Sequence, residues 1–261
     1  MKKFLLIALL SILFGNRASA QKQDTLRIRV MTYNLRFGEL ASLEQIAEHI
    51  KAFKPDFVAL HEVDSKTFRE RAPKQNGKDF ITELGYRTEM YPLYGKSISY
   101  KDGYYGIGIL SRHPYFKVEK MMLPRPQEKE QRVMLQGTFE VNGTDTLTFA
   151  CTHLDYFSED TRFLQIQKIT ETLKKSPYPV ILGGDFNARP DSKTIQKGMV
   201  GWQLLTNDDL TFPSYKPSIK IDYLFGYPNS GWQVVRTQSV QSLLSDHLPI
   251  ITELEFIREI K

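Results

Sequence analysis

Short apolar runs separated by turn residues dominate the chain. Runs of this length, rich in β-branched and aromatic residues, are typical of strands rather than helices. Asn142-Gly143 supplies the residues that a tight hairpin turn requires, because both tolerate positive φ. The pattern predicts nine strands, at Leu26–Tyr33, Phe57–Leu60, Ile107–Leu110, Val133–Val141, Thr146–Thr152, Val180–Leu182, Ile221–Phe225, Val234–Val240 and Ile250–Phe256.

Two segments instead repeat apolar residues at helical spacing. Ser42 with Gln45 forms a capping-box sequence, and the apolar stripe that follows stops before Pro55. A second stripe predicts a helix at Glu159–Lys174. Because nine strands exceed what one compact sheet usually holds, we expect an α+β sandwich of two sheets packed face to face, with helices on the outer faces.

The first twenty residues have the pattern of an export signal. Two lysines precede an apolar run at 4–14, and the small residues Ala18-Ser19-Ala20 suit a signal peptidase. The run is too short for a stable membrane span, and a buried helix would show interspersed polar positions. We expect a signal peptide at 1–20, cleavage after Ala20 and a periplasmic or secreted protein. Residues 21–261 then form one catalytic domain, since no linker or repeat divides them.

Charge and cysteine content narrow the possible functions. The net charge of +5 falls to +2 when Lys2, Lys3 and Arg17 leave with the signal, so the high isoelectric point is weak support for a nucleic-acid partner. The single Cys151 excludes an intramolecular disulfide. Its place in an apolar strand indicates a core residue rather than a nucleophile.

Polar residues capable of chemistry lie at the ends of six of the apolar strand runs: four runs are followed by such a residue, Asp222 lies within KIDYLF, and Asp246-His247 come just before LPIITEL. Each has an ordinary explanation when taken singly, such as a turn cap, a surface acid or a packed histidine. Six such coincidences are improbable together, and rigid strands that end at one edge can bring their last side chains to one point. The candidate site residues are Asn34, Glu62, His153, Asp185, Asn187, Asp222, Asp246 and His247.

The ligand chemistry of this set favours a hard cation. Glu62, Asp185 and Asp246, with the amide oxygen of Asn34, offer only oxygen ligands, which suit Mg²⁺ or, as the alternative, Mn²⁺. Zn²⁺ would prefer clustered histidine and cysteine ligands. We interpret His49, His61 and His113 as structural, with His61 pointing to the opposite side of its strand from Glu62.

Imidazoles beside such a cation suit phosphoester hydrolysis, in which a base orients the attacking water. Asp222 is the expected partner that fixes the tautomer of His247. The chain has no nucleophile-elbow sequence, which argues against a covalent intermediate.

The ordered motifs resemble those of the endonuclease/exonuclease/phosphatase superfamily. The resemblance covers nearly all of 21–261 and implies a four-layer, DNase I-like α/β sandwich with two mixed sheets. The matching segments are MTYNLR at 31–36, LHEVD at 60–64, YGIGILSR at 105–112, THLD at 152–155, GGDFNA at 183–188, KIDYLF at 220–225 and SDHLPI at 245–250.

The resemblance also implies roles for the matched positions. Glu62 would be the principal metal ligand, with Asn34 beside it and Asp246 contributing directly or through water. Asp185 would orient or deprotonate water, and Asn187 would hold a phosphate oxygen. The remaining roles concern the two imidazoles: His247, paired with Asp222, would contact the scissile phosphate, and His153 would be a phosphate donor or general acid.

Three substrate classes remain open: nucleic acid, lipid head groups and small phosphoesters. Tyrosines and basic residues alternate at 86–105, which is compatible with a nucleic-acid track or with a packed loop. The low net charge and the lack of a membrane-docking helix favour a small or head-group phosphoester, with a secreted nuclease as the alternative. A catalytically silent phospho-ligand-binding protein would be expected to lack some of these residues. We expect a monomer.

Overall fold

Twelve strands form two six-stranded sheets. The computed structural model describes residues 25–126, 128–143 and 145–257, and the predicted signal peptide at 1–20 lies outside them. The first sheet has the order β11-β12-β1-β2-β4-β3, and only the β1–β2 pair is parallel. Its strands are β1 (Thr25–Asn34), β2 (Phe57–Ser65), β3 (Tyr91–Tyr100), β4 (Gly103–Ser111), β11 (Trp232–Ser239) and β12 (Ile250–Ile257).

The second sheet repeats this mixed arrangement. Its order is β5-β6-β7-β8-β10-β9, and only the β7–β8 pair is parallel. Its strands are β5 (Tyr115–Met122), β6 (Val133–Val141), β7 (Asp145–His153), β8 (Val180–Asp185), β9 (Gln203–Leu204) and β10 (Asp222–Tyr227).

In the described segments, four α-helices cover the outer faces of the sheets: α1 (Leu43–Phe53), α2 (Phe80–Thr88), α3 (Glu159–Leu173) and α4 (Lys193–Gln196). The predicted capping box is present, since the Ser42 side chain accepts from the Gln45 backbone and the Gln45 side chain accepts from Ser42. The sequence analysis predicted α1 and α3 but not α2 or α4. Within the described segments, no helix is both long and apolar enough to cross a bilayer.

Three buried apolar layers hold the four structural layers together. One lies between the sheets and includes Phe57, Phe149 and Leu254. A second joins the first sheet to α1 and α2, and a third joins the second sheet to α3. The predicted sandwich of two mixed sheets with outer helices is therefore confirmed, and the buried Cys151 belongs to the inter-sheet layer.

The period of two along each strand sends alternate residues to the two faces of a sheet. In β1, Ile28 and Val30 face the inter-sheet layer, whereas Met31 and Tyr33 face the helices. The inward row of β1 continues from Val30 through Thr32 and ends in Asn34. The inward rows of β7 and β8 end in the same way, at His153 and Asp185, and the inward row of β10 begins with Asp222. The inter-sheet core therefore finishes, at one end, in a group of polar side chains.

Candidate active site

Strand register brings the predicted residues of each sheet side by side. In the second sheet, Asp185 pairs with His153 on one side and with Asp222 on the other. In the first sheet, Asn34 pairs with His61. Because the sheets face each other, these two short rows meet across the end of the core.

A bulge in β2 adds Glu62 to the site. The register of β2 shifts between His61 and Val63, and Glu62 adopts a positive φ of 56°. His61 continues the inward row of Phe57 and Ala59, and its ring lies 6.1 Å from that of His153. The prediction that His61 points away from the Glu62 side was wrong, because the bulge interrupts the alternation and leaves both side chains on the inter-sheet side.

Asp185 lies at the centre of the cluster. Its Oδ2 accepts a hydrogen bond from Asn34 Nδ2 at 3.0 Å, and its Oδ1 accepts one from the Asn187 backbone at 2.9 Å. Asn34 Nδ2 also lies 3.3 Å from Glu62 Oε1, so one amide connects carboxylates from the two sheets. The Asn34 oxygen accepts from the Arg36 backbone, and the Asn187 side chain donates to the Leu154 carbonyl.

Two imidazoles approach Asp185 from different sides. His153 Nε2 lies 3.5 Å and His247 Nε2 lies 3.8 Å from Asp185 Oδ2. The expected Asp-His pair is present, with His247 Nδ1 at 2.9 Å from Asp222 Oδ2. Thr211 Oγ1 donates to the same carboxylate oxygen at 2.6 Å. His247 is thus held in one orientation at the surface of the cleft, with Asp222 behind it.

His153 has a different partner. Its Nδ1 lies 2.9 Å from a terminal nitrogen of Arg132, which is itself buried and lies 3.3 Å from Glu130. Burial, and then the positive charge of Arg132, hold the pKa of His153 well below its ordinary value. For His247 the balance is opposite: burial lowers the pKa, but the charges of Asp222 and Asp185 outweigh it and raise the pKa to about 10.

Asp246 is tied to the segment that follows β1. The Arg36 guanidinium donates to Asp246 Oδ2 at 2.5 Å and also binds Glu39. Arg36 and Phe37 have positive φ values of 45° and 41°, which are unfavourable for side-chain-bearing residues. Glu62 and Asn187 also have positive φ values, so four strained backbone positions surround the cluster. Strained backbone of this kind is common at functional sites.

The electrostatics of the cluster fit a bound cation. Burial raises the pKa of Glu62, against the opposing charge of His247 and the hydrogen bond from Asn34. Burial and the charge of Asp222 likewise raise the pKa of Asp185. Ligand atoms of Asp185, Asp222 and His247 lie within 4.8 Å of one another, and Asp222 Oδ1 is buried without a hydrogen-bond partner in the described chain. Buried carboxylates need a compensating positive charge, and their oxygens are the ligands that a hard divalent ion prefers.

The cluster forms the floor of a cleft of about 810 Å³. Asn187, Asp246 and His247 line it as predicted, together with Glu62, His153 and Asp185. Four arginines and three aromatic side chains from distant segments also line it, and none of them was identified from the sequence. These additional residues are Arg71, Arg132, Arg162 and Arg189, with Phe37, Tyr156 and Phe212.

The stretch at 86–105 forms the end of α2 and the β3–β4 hairpin rather than a packed loop. Of its tyrosines, Tyr105 is buried and lines the cleft, whereas Tyr86 is exposed. The stretch therefore does not present a continuous row of tyrosines to the cleft.

Comparison with known proteins places these features in context. A model of the Endonuclease/Exonuclease/phosphatase family matches residues 31–247. An endonuclease/exonuclease/phosphatase from Beutenbergia cavernae is 21% identical with a TM-score of 0.72, and the match covers 88% of this chain and 72% of that chain. Bacteroides thetaiotaomicron mannosyl-6-phosphatase is 16% identical (TM-score 0.67; 87% and 99% covered), and the human Nocturnin catalytic domain with a bound sulfate anion is 18% identical (TM-score 0.67; 89% and 97% covered).

Proposed function

We propose that this chain, which belongs to the endonuclease/exonuclease/phosphatase family, is a Mg²⁺-dependent hydrolase of a small or head-group phosphoester. The observation that carries the proposal is the convergence of Glu62 and Asp185, from strands of different sheets, and of His247, from the loop before β12, on the floor of one cleft. Carboxylates and imidazoles placed in this way can supply the base and the charge stabilisation that phosphoester hydrolysis uses.

Glu62 and Asp246 would hold the cation, with Asn34 beside them. Burial and the nearby charge of Asp246 raise the pKa of Glu62, and a cation held between the two carboxylates would offset both effects. When bound, a divalent ion supplies positive charge to the non-bridging and leaving oxygens of the phosphate. Mn²⁺, which accepts the same oxygen ligands, is the alternative.

Asp185 would orient the attacking water for in-line displacement and accept its proton. Burial and the nearby charge of Asp222 raise the pKa of Asp185, which makes the carboxylate a stronger base than an exposed aspartate. His247, kept cationic by Asp222, would stabilise the charge that develops on the phosphoryl oxygens. Asn187 would position a phosphate oxygen.

The walls of the cleft support a small substrate rather than a polyanion. Three of the four cleft arginines, Arg71, Arg132 and Arg162, each pair with a carboxylate, at 2.6, 3.3 and 3.0 Å respectively, and in the described part of the chain only Arg189 lacks such a pair. A nucleic-acid track requires cations that are free to neutralise successive phosphates. Paired donors and acceptors instead match a hydroxyl-rich body such as that of a sugar phosphate, and one structural neighbour is described as a mannosyl-6-phosphatase.

Export is part of the proposal. The basic start, the apolar run at 4–14 and Ala18-Ser19-Ala20 support a cleaved signal and a periplasmic or secreted enzyme. Amino-terminal sequencing of the protein recovered from its native host checks this point, with Gln21 expected as the first residue.

A substrate panel tests the activity. The purified chain would be incubated with p-nitrophenyl phosphate, bis(p-nitrophenyl) phosphate, hexose 6-phosphates, sphingomyelin and plasmid DNA, each with Mg²⁺ and with EDTA. We expect Mg²⁺-dependent hydrolysis of the small esters and little cleavage of DNA. A His247→Ala variant, expected to lose at least about 10²-fold in turnover, controls for contaminating enzymes.

Three results would contradict the proposal. Hydrolysis that persists in EDTA would remove the cation from the mechanism. Efficient DNA cleavage with no hydrolysis of the small esters would favour the nuclease alternative, and binding of phosphoesters without any turnover would favour a silent binding protein.

A further inference from the structure

Two imidazoles face the same carboxylate oxygen but have chemically opposite partners. His153 and His247 both direct Nε2 toward Asp185 Oδ2, at 3.5 and 3.8 Å. The Nδ1 of His247 meets a carboxylate, that of Asp222, whereas the Nδ1 of His153 meets the guanidinium of Arg132, each at 2.9 Å. The partner of Nδ1 determines which ring nitrogen carries the proton.

The guanidinium leaves one arrangement for His153. An arginine side chain has five donors and no acceptor, so Nδ1 of His153 has to accept the hydrogen bond. The proton of the neutral ring then lies on Nε2, the nitrogen that faces Asp185. A doubly protonated ring would carry a hydrogen on Nδ1 as well, and this hydrogen would face the cationic guanidinium of Arg132.

The position of Arg132 is well suited to enforcing this arrangement. The residue is only 4% exposed, and its other terminal nitrogen forms an ion pair with Glu130 at 3.3 Å. By contrast, Asp222 accepts a hydrogen bond from Nδ1 of His247 and therefore allows that ring to carry both protons.

We propose that Arg132 is a positioning residue that holds His153 in the Nε2-protonated tautomer, so that His153 donates a hydrogen bond into the cleft and takes up no proton there. Of the two roles considered for His153, this selects the phosphate donor over the general acid. The tautomer follows from the contacts alone, whereas donation to a phosphoryl oxygen rests on the proposed function.

Nuclear magnetic resonance tests the tautomer directly. The chain has five histidines, so a long-range ¹H–¹⁵N spectrum of protein labelled at histidine is simple, and His153→Gln assigns the signal of interest. We expect an unprotonated Nδ1 and a protonated Nε2 at neutral pH. A protonated Nδ1, in either the neutral or the cationic ring, would overturn the proposal.

Variants at two arginines separate the specific contact from general charge. Arg132→Met removes every donor and should release His153 from its single tautomer, while Arg132→Lys, which keeps a donor, should preserve more of the Nε2-protonated form. The matched control is Arg162→Met: Arg162 lines the same cleft but binds the Asp155 carbonyl and Glu159. A tautomer unchanged in Arg132→Met, or changed equally in Arg162→Met, would contradict the assignment.

Two substitutions of the histidine test the donor role in catalysis. The amide nitrogen of His153→Gln can reach the place of Nε2, whereas that of His153→Asn mimics Nδ1. We expect Asn to lower kcat about 10- to 100-fold more than Gln, the range for losing one charge-assisted hydrogen bond. Equal losses would refute donation from Nε2. A wild-type chain that hydrolyses no phosphoester but shows the expected tautomer would contradict the proposed function alone.

Discussion

Replacing Asp222 with asparagine is the sharpest perturbation of the site. The substitution preserves the size and shape of the side chain but removes its negative charge, 2.9 Å from Nδ1 of His247. Both residues are buried, so water cannot compensate for the lost charge. The variant therefore isolates the electrostatic contribution of Asp222 to the imidazole that faces Asp185.

The size of the effect follows from the charges. Two unit charges about 4 Å apart attract by about 4 kcal/mol at an effective dielectric constant of about 20. Since one pKa unit corresponds to about 1.36 kcal/mol, losing Asp222 should lower the pKa of His247 by roughly 3 units. The pKa of about 10 in the folded wild type would fall to about 7. In the variant, the imidazolium would be lost as the pH rises from 6 to 8.

Catalysis and stability should both report this change. We expect kcat of Asp222→Asn to fall about 10²- to 10⁴-fold at pH 8, and less at pH 6, where the ring is still protonated. In the wild type, the folded-state pKa of His247 is raised, so its stabilising contribution is complete below about pH 6.5 and is lost as the pH rises through about 10. The melting temperature of the variant should lack this alkaline decline.

Steady-state hydrolysis of p-nitrophenyl phosphate between pH 6 and 9, at saturating Mg²⁺, measures the first effect, and thermal melts followed by circular dichroism measure the second. Thr211→Val is the matched control, because it removes a hydrogen bond to Asp222 and leaves the carboxylate charge in place. We expect less than about a tenfold change in kcat for this control. Asp222→Asn with wild-type kcat across the whole pH range would refute the reasoning.

Three further predictions concern the cation, the core and the thiol. Glu62→Gln should raise the Mg²⁺ concentration for half-maximal activity more than about tenfold, and an unchanged titration would exclude Glu62 as a ligand. Phe149→Ala should lower the free energy of unfolding by about 3–5 kcal/mol in urea titrations, because Phe149 is fully buried between the sheets; Phe116→Ala, at a ring that is 61% exposed, should change it by less than about 0.5 kcal/mol. Burial raises the pKa of the Cys151 thiol, so a disulfide reagent should modify it only as fast as the chain unfolds; rapid modification of the folded protein would contradict its assigned burial.

Strands with a buried apolar face could be predicted from the sequence, whereas three of the four edge strands could not. All nine predicted strands are present, because their apolar residues face a core layer. The strands β3, β5 and β9 were missed, and β9 has only two residues. In β5 nearly every residue is exposed, so no alternation marks it, and β3 carries Pro92 and Gly95.

Helix α2 was missed for a related reason. Gly85 lies within it, and glycine lowers helix propensity. In the folded chain, a Cβ at this position would lie 2.9 Å from Pro92, so the glycine permits close packing of α2 on β3. The residue that weakens the local helical signal is therefore required by the tertiary structure.

The floor of the site was more predictable than its walls. Asn34, His153, Asp185 and Asp222 could be identified because each is the polar end of an inward, otherwise apolar row. Arg132 precedes β6 and is one of 35 basic residues with no distinguishing local pattern. Only its burial against His153 reveals its importance, and burial of this kind depends on the packing of the two sheets.

The position of the cluster at the end of the inter-sheet core accounts for its chemistry. His153, Asp185 and Asp222 each continue a row of packed apolar residues, so these carboxylates and this imidazole have few alternative orientations. The same packing removes water from one side of the cluster, which shifts the pKa values of Asp185, His153 and His247 in different directions according to the partner of each. A neutral donor, His153, and a cation, His247, can therefore both lie within 3.8 Å of the Asp185 carboxylate, which is the proposed base. The two imidazoles differ in protonation because their buried partners differ: His247 faces Asp222, whereas His153 faces Arg132.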